Sequence, residues 1–174
     1  GQQLLLDARN QSSAQNPLPE PLYNKIVELF RTYMIVGGMP EAVAAWVEKH
    51  DFIRCQEIQD DILTGYEDDF PKYRKKVNTE LLRATLRSVA NQITKKFVFA
   101  EVGSGYKAAD IKKALELLYM SGLVIPTTHS HANGLPLGGE TDDRFRKMLF
   151  LDSGLLLRML NMTLGNITEI TTQI

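Results

Sequence analysis

The stretch Ala108-Ala109-Asp110-Ile111-Lys112-Lys113-Ala114-Leu115-Glu116-Leu117-Leu118-Tyr119-Met120-Ser121-Gly122-Leu123-Val124-Ile125 decides how this chain is read. Ile111, Leu115 and Leu118 are spaced by four and three, which places them on one face of a helix. Gly122 follows the last periodic residue, where glycine adopts a left-handed cap at little cost. Leu123-Val124-Ile125 then reads as a strand. Downstream, His129 to Asp143 is polar and glycine-rich and is expected to be a loop. Met148-Leu149-Phe150-Leu151 reads as a returning strand and Leu155 to Leu160 as a short helix. Upstream, Gly103-Ser104-Gly105 marks a turn, and the apolar run Phe97-Val98-Phe99 is expected to be a short strand. Before it, Asn78 or Thr79 caps a helix whose stripe is Leu81, Leu82, Leu86, Val89 and Ile93.

Helix, short strand, turn, helix, strand, glycine-rich loop, strand is the order of a winged helix, a helix-turn-helix variant with a β-hairpin wing. Leu81–Ile93 is then the first helix, Ala100–Ser104 an abbreviated second, and Ala108–Met120 the third. The wing pairs Leu123–Thr128 with Lys147–Asp152, and the domain spans 77–162. Leu115, Leu117-Leu118 and Gly122-Leu123-Val124 resemble the "leucine-leucine, then glycine-leucine-valine" end of many winged helices. On the third helix the exposed basic residues are Lys107, Lys112 and Lys113, interrupted by Asp110 and Glu116. The helix has no Arg, Asn or Gln, the residues that make the best bidentate base contacts. Lysines neutralise phosphates without reading sequence, so any nucleic-acid binding is expected to be nonspecific. Lys95, Lys96, Arg144 and Lys147 complete the candidate nucleic-acid surface. The competing reading is a solvated or partner-facing helix.

Charge is unevenly spread along the 174 residues, whose formal net is −1. Residues 1–71 carry 5 basic and 12 acidic side chains, a net of −7. Residues 72–113 carry 11 and 3, a net of +8, and residues 114–174 carry 4 and 6, a net of −2. A basic block between acidic flanks suits an acidic partner or nucleic acid, unless the two halves neutralise one another within one fold. A hydrophobic fraction of 44% and a charged fraction of 24% are ordinary for a globular domain. The single Cys55 excludes an internal disulfide framework and a multi-cysteine zinc site. No apolar run has the length of a membrane span, and no secretory leader pattern opens the chain, so a cytoplasmic location without membrane partners is expected. Gly1 in place of Met reads as a scar or a trimmed terminus, the mark of a piece of something longer.

The N-terminal half reads as helical. Residues 1–19 carry little pattern and are stopped by Pro17 and Pro19, so a linker or tail is expected. From Pro21, Ile26, Phe30, Tyr33 and Met34 follow helical spacing up to Gly37-Gly38. Pro40 suits the first turn of the next helix, and Glu41 complements its dipole. Asp51 is a good N-cap for a third helix carrying Phe52, Ile58, Ile62 and Leu63, which Pro71 ends or kinks. The expected class is mainly α with a small β component, a helical subdomain over 20–76 followed by the winged helix. Residues 163–174 are then a linker or the truncated start of a further domain.

Tyr33-Met34-Ile35-Val36-Gly37-Gly38-Met39-Pro40-Glu41-Ala42-Val43 resembles the "YLxxGGxPEAV" signature of a large prokaryotic family of AAA+-superfamily ATPases with a C-terminal domain of unknown function. Asp60 to Tyr73 resembles that family's "DIL-x-x-Y-x-x-D-x-x-KY" stretch. Lys95-Lys96-Phe97, with Ala114 to Leu118 and Gly122-Leu123-Val124, resembles its winged-helix region. Leu135-Pro136-Leu137 and Arg146 to Leu156 resemble its "PL…FKLYLLDxGLL". The resemblance runs from about Leu22 to Leu160. It implies a helical ATPase lid followed by a winged helix, the noncatalytic middle of a parent that binds ATP and Mg²⁺ through an upstream core of the same protein. This chain lacks that core. Gly103-Ser104-Gly105-Tyr106-Lys107 does not have the GxxxxGK[ST] spacing of a phosphate cradle, and the family's nuclease-like C-terminal domain is also missing. The resemblance implies that Gly37, Gly38 and Pro40 form a lid turn whose proline packs against adenine. A plain helix–helix turn is the alternative reading of the same residues.

No catalytic residue, metal ligand or cofactor of its own is assigned to the chain. Asp60, Asp61, Asp68 and Asp69 read as a solvated face or as salt-bridge partners of Lys72–Lys76. His129 and His131 read as exposed wing residues, and Cys55 as a small packing residue. Three functions compete: a coupling module of an ATPase, a winged-helix DNA-binding regulator, and a protein–protein scaffold. The regulator requires a continuous positive surface. The scaffold requires an exposed apolar patch, expected around Met148–Leu157.

Overall fold

The computed structural model describes residues 2–73, 77–131, 133–135 and 141–162; at Gln2 and at 141–145 it describes the backbone alone. The helices are α1 (Gln2–Gln11), α2 (Glu20–Val36), α3 (Pro40–Lys49), α4 (Phe52–Asp69), α5 (Thr79–Asn91), α6 (Ala108–Met120) and α7 (Ser153–Met159). Strands β1 (Val124–Ser130) and β2 (Thr141–Phe150) form an antiparallel hairpin between α6 and α7. The class is mainly α with a small β component. Among the described residues no helix is long and apolar enough to cross a membrane.

Local chemistry sets the boundaries. Asp51 caps α4 by accepting from the amides of Ile53 and Arg54, and Asn78 caps α5 by accepting from Glu80. Pro40 is the first residue of α3. After Ser121, Gly122 turns left-handed at φ +78°. Its amide donates to the Tyr119 carbonyl at 2.9 Å and the Leu123 amide to the Leu118 carbonyl at 3.1 Å. This paired arrangement closes the end of α6 and sends the chain directly into β1.

The hairpin register pairs Val124 with Phe150, Ile125 with Leu149, Pro126 with Met148, Thr127 with Lys147 and Thr128 with Arg146, with an irregularity after Thr128. Val124, Met148 and Phe150 point into the core, while Ile125 and Leu149 face out, as the two-residue period of a strand demands. Both strands reach further into the expected loop than His129 to Asp143 allowed.

Two sequence expectations are corrected. Residues 1–19 contain α1 rather than only a tail. Phe97-Val98-Phe99 is not a strand, and a 3-10 turn runs over Phe99–Val102. The reason is the buried Gln92. Its Oε1 accepts from the Val98 amide at 2.6 Å, and its Nε2 donates to the Val98 carbonyl at 3.1 Å. A side chain thus takes the place of a strand partner at Val98. Phe97 alone bonds toward the hairpin, its amide donating to the Arg146 carbonyl at 2.8 Å.

The core runs from Leu63 and Phe70 through Leu82, Leu86, Ile111 and Leu118 to Met148, Phe150 and Leu155. It therefore crosses the expected boundary between 76 and 77. The helix that follows the hairpin, α7, packs back on α2 and α4.

Candidate functional site

The Gly37–Pro40 turn is built from both ends of the chain. Gly37 is buried at φ +71° and ψ −162°, and its amide caps α2 by donating to the Tyr33 carbonyl. The Asp152 carboxylate, from the end of the hairpin, accepts from the Gly38 amide at 2.6 Å through Oδ2 and from the Leu155 amide at 3.0 Å through Oδ1. One side chain therefore caps α7 and holds the turn 114 residues earlier. A Cβ on Gly37 would collide with that carboxylate.

A second contact lies beside it. Gln59 of α4 is buried, and its Nε2 donates to the carbonyls of Ile35 at 3.0 Å and Val36 at 2.9 Å, satisfying the end of α2. Gly154 lies directly against this bond. A Cβ there would run into the Gln59 amide and come within 2.9 Å of the Val36 carbonyl. The sequence segments Gly37-Gly38 and Asp152-Ser153-Gly154, read as separate motifs, thus close on one another. Two of the three turn residues, Gly37 and Gly38, are accounted for by this internal contact. Their amides are already engaged, and Pro40 is exposed at the start of α3.

The candidate cations Lys95, Lys96, Lys107, Lys112, Lys113 and Lys147 are all exposed. Lys113 lies 3.7 Å from Asp110 on its own helix. Arg144 falls in β2, but its side chain lies outside the described residues. Lys96 and Lys112 come together with Arg146 around a cleft of about 500 Å³ floored by Phe97, Val98, Phe99 and Met148. Arg146 was missing from the sequence-derived set. Its signal was present in the strand alternation, since it lies on the inner face two residues before Met148.

Other candidates resolve into structural roles. Asp60 makes a two-pronged ion pair with Arg158 of α7 at 2.9 and 2.7 Å, Glu67 pairs with Arg83 at 2.9 Å, and Asp69 pairs with Lys72. His129 and His131 meet edge to face on the hairpin. Among the described residues no group of three or more His, Cys, Asp or Glu is placed to hold a metal ion. Cys55 is buried, donates to the Ala42 carbonyl, and has its pKa pushed up chiefly by that burial.

The stretch Met148–Leu157, where the scaffold reading expects an apolar patch, is exposed only in part. Met148 and Leu155 are buried, although Leu149 and Leu151 show on the hairpin side. More exposed apolar side chains lie on α2, at Tyr23, Leu29, Phe30, Tyr33 and Met34, and others at Val43 and Val47 of α3 and Ile53 of α4. Clustered exposed apolar side chains mark interaction surfaces.

No curated protein and no solved structure matches the chain. A protein-family model does match, over residues 27–165, which takes in the glycine turn, the cleft and the Asp152 contact. The chain therefore belongs to the family described as "Domain of unknown function (DUF8612)".

Proposed function

We propose that this chain is the noncatalytic lid and winged-helix module of a cytoplasmic AAA+-type ATPase, coupling the nucleotide state of an upstream core to a partner. One observation carries the reading. The Gly37–Pro40 turn is tied through Asp152 and Gly154 to the end of the hairpin, so displacement of the turn loads the winged helix directly. The exposed apolar face of α2 and α3 supplies a surface for the core to cover. Asp152 and Gln59 are positioning residues in this scheme; they hold the turn, and Pro40 alone is offered to a base.

The residues present fit one wall of a nucleotide pocket. The Gly37 and Gly38 amides are occupied by Tyr33 and Asp152, so they do not serve phosphates. ATP with Mg²⁺ would supply phosphoryl-transfer chemistry when held by the core. A protein–protein scaffold is the second reading, favoured by the same apolar face of α2.

The test is nucleotide titration of the full-length protein with and without Pro40→Glu. Weaker binding with an unchanged circular dichroism spectrum is expected, and equal affinities would reduce the turn to a structural element. The 174-residue chain alone is expected to hydrolyse no ATP; substantial turnover from it would overturn the assignment.

A further inference from the structure

We propose that α2 pairs with α2 of a second copy of this chain, antiparallel across a two-fold axis, through a stripe of Tyr23, Ile26, Phe30 and Tyr33. An α-helix turns about 100° per residue, so these four, with Met34, share one face about 100° wide. Tyr23, Phe30 and Tyr33 are each more than half exposed, and Ile26 is half-buried. Ile35 and Val36, the residues that α2 buries, lie about 110° or more around the helix from the middle of that stripe. The helix is thus amphipathic with its apolar face turned outward, a face that a partner has to cover.

The stripe is complementary to itself. Its residues follow the alternating three- and four-residue steps of a coiled-coil seam. Reversing it sets Tyr23 against Tyr33 of the second copy and Ile26 against Phe30 of the second copy. Each contact then occurs twice, as a two-fold interface requires. Charge permits the pairing. Residues 1–71 are net −7, but α2 itself carries Glu20, Lys25, Glu28 and Arg31, a net of zero, so the helix does not repel its copy. Lys25, Glu28 and Arg31 fall off the stripe, and Lys25 pairs with Glu28 at 2.7 Å on the same helix. The area is sufficient. Tyr23, Leu29, Phe30, Tyr33 and Met34 each present about 100 Å², near half of a large side chain. Two helices then bury about 1,000 Å², the lower bound of a specific interface, which suits a reversible dimer. The lid reading rests on the Asp152 tie and Pro40, which this pairing does not touch, so the two fail on different measurements.

The experiment is sedimentation velocity of the intact chain from about 1 to 200 μM, without nucleotide. A shift from 19.6 kDa toward twice that mass is expected, with a dissociation constant on the order of 10 μM. Phe30→Glu should weaken the dimer about thirty-fold or more. Ile125→Lys, on the outer face of the hairpin, should leave it unchanged, and both variants should keep the parent circular dichroism spectrum. In a mixture of Ile26→Cys and Phe30→Cys chains, oxidation should link one variant to the other, since the native Cys55 is buried. A chain that stays monomeric throughout the concentration range would overturn the proposal and leave the stripe to the upstream core. So would a dimer insensitive to Phe30→Glu, a dimer lost in Ile125→Lys, or links that form as readily within either cysteine variant alone.

Discussion

Helices α2 and α5 are built on opposite terms. The 17-residue α2 buries Ile35 and Val36, both in its last turn, whereas the 13-residue α5 buries Leu81, Leu82, Thr85, Leu86, Ser88, Val89 and Ala90. Helices in proteins draw most of their stability from a buried face. The part built on α5, α6 and the hairpin therefore holds itself together, and α2 depends on its C-terminal junction with Gln59, Asp152 and Gly154. Weak internal anchoring with one strong joint is the arrangement expected of an element whose other face meets a partner.

The largest effect expected is on the core shared by α5, α6 and the hairpin. Leu118→Ala should cost about 2–5 kcal/mol by emptying a fully buried site, and chemical denaturation should show the loss in the main unfolding transition. A loss below that range would mean that this core is not the stable half.

Changes at the joint come next. Gly154→Ala forces a methyl against the Gln59 amide and the Val36 carbonyl, at about 1–3 kcal/mol. Asp152→Ala strips the Gly38 and Leu155 amides of their acceptor, at a similar cost. Hydrogen exchange should then speed up in α2 and α3 while α5 and α6 keep their protection. Equal acceleration everywhere would show that the two regions are a single cooperative unit and would break the contrast.

A smaller effect is expected from Arg158→Ala. The pair with Asp60 links α7 to α4, but it is partly solvated, so the cost should stay below about 1 kcal/mol by thermal denaturation. A larger value would move the joint's strength from the Asp152 contact to this ion pair.

The smallest effect is alkaline. Burial raises the Cys55 pKa, so the folded state keeps its proton where the unfolded chain has begun to lose it. That contribution is fully present below the unfolded thiol pKa and fades as pH rises through the folded value. Cys55→Ser should therefore lessen the fall in stability above about pH 8.5, the ordinary thiol value. An identical alkaline profile in both proteins would place Cys55 outside the pH response of the helical region.

Much of the architecture was legible because it is local. Asp51, Asn78, Pro40 and Gly122 announce helix ends through hydrogen bonds made within a few residues. The alternation of Val124, Ile125 and of Met148, Leu149, Phe150 announces a hairpin with one wet face. The strand expected at Phe97-Val98-Phe99 failed for an equally physical reason. Apolar β-prone residues satisfy the pattern, but the Gln92 side chain takes both backbone groups of Val98. The candidate lysines were found as exposed charges, yet only the hairpin register brought Arg146 alongside Lys96 and Lys112 and made a cleft of them.

By itself the sequence determined the capped helix ends at Pro40, Asp51, Asn78 and Gly122, the turn into the hairpin and the positions of its cations, since each follows from spacing, capping chemistry and the period of its element. Tertiary structure alone decided what the glycines are for. Gly37 and Gly154 lie 117 positions apart, and no local rule links them. In the fold they are the two places where a side chain would strike Asp152 or Gln59, because α7 returns to the end of α2 and leaves room there for a hydrogen bond but not for a methyl group.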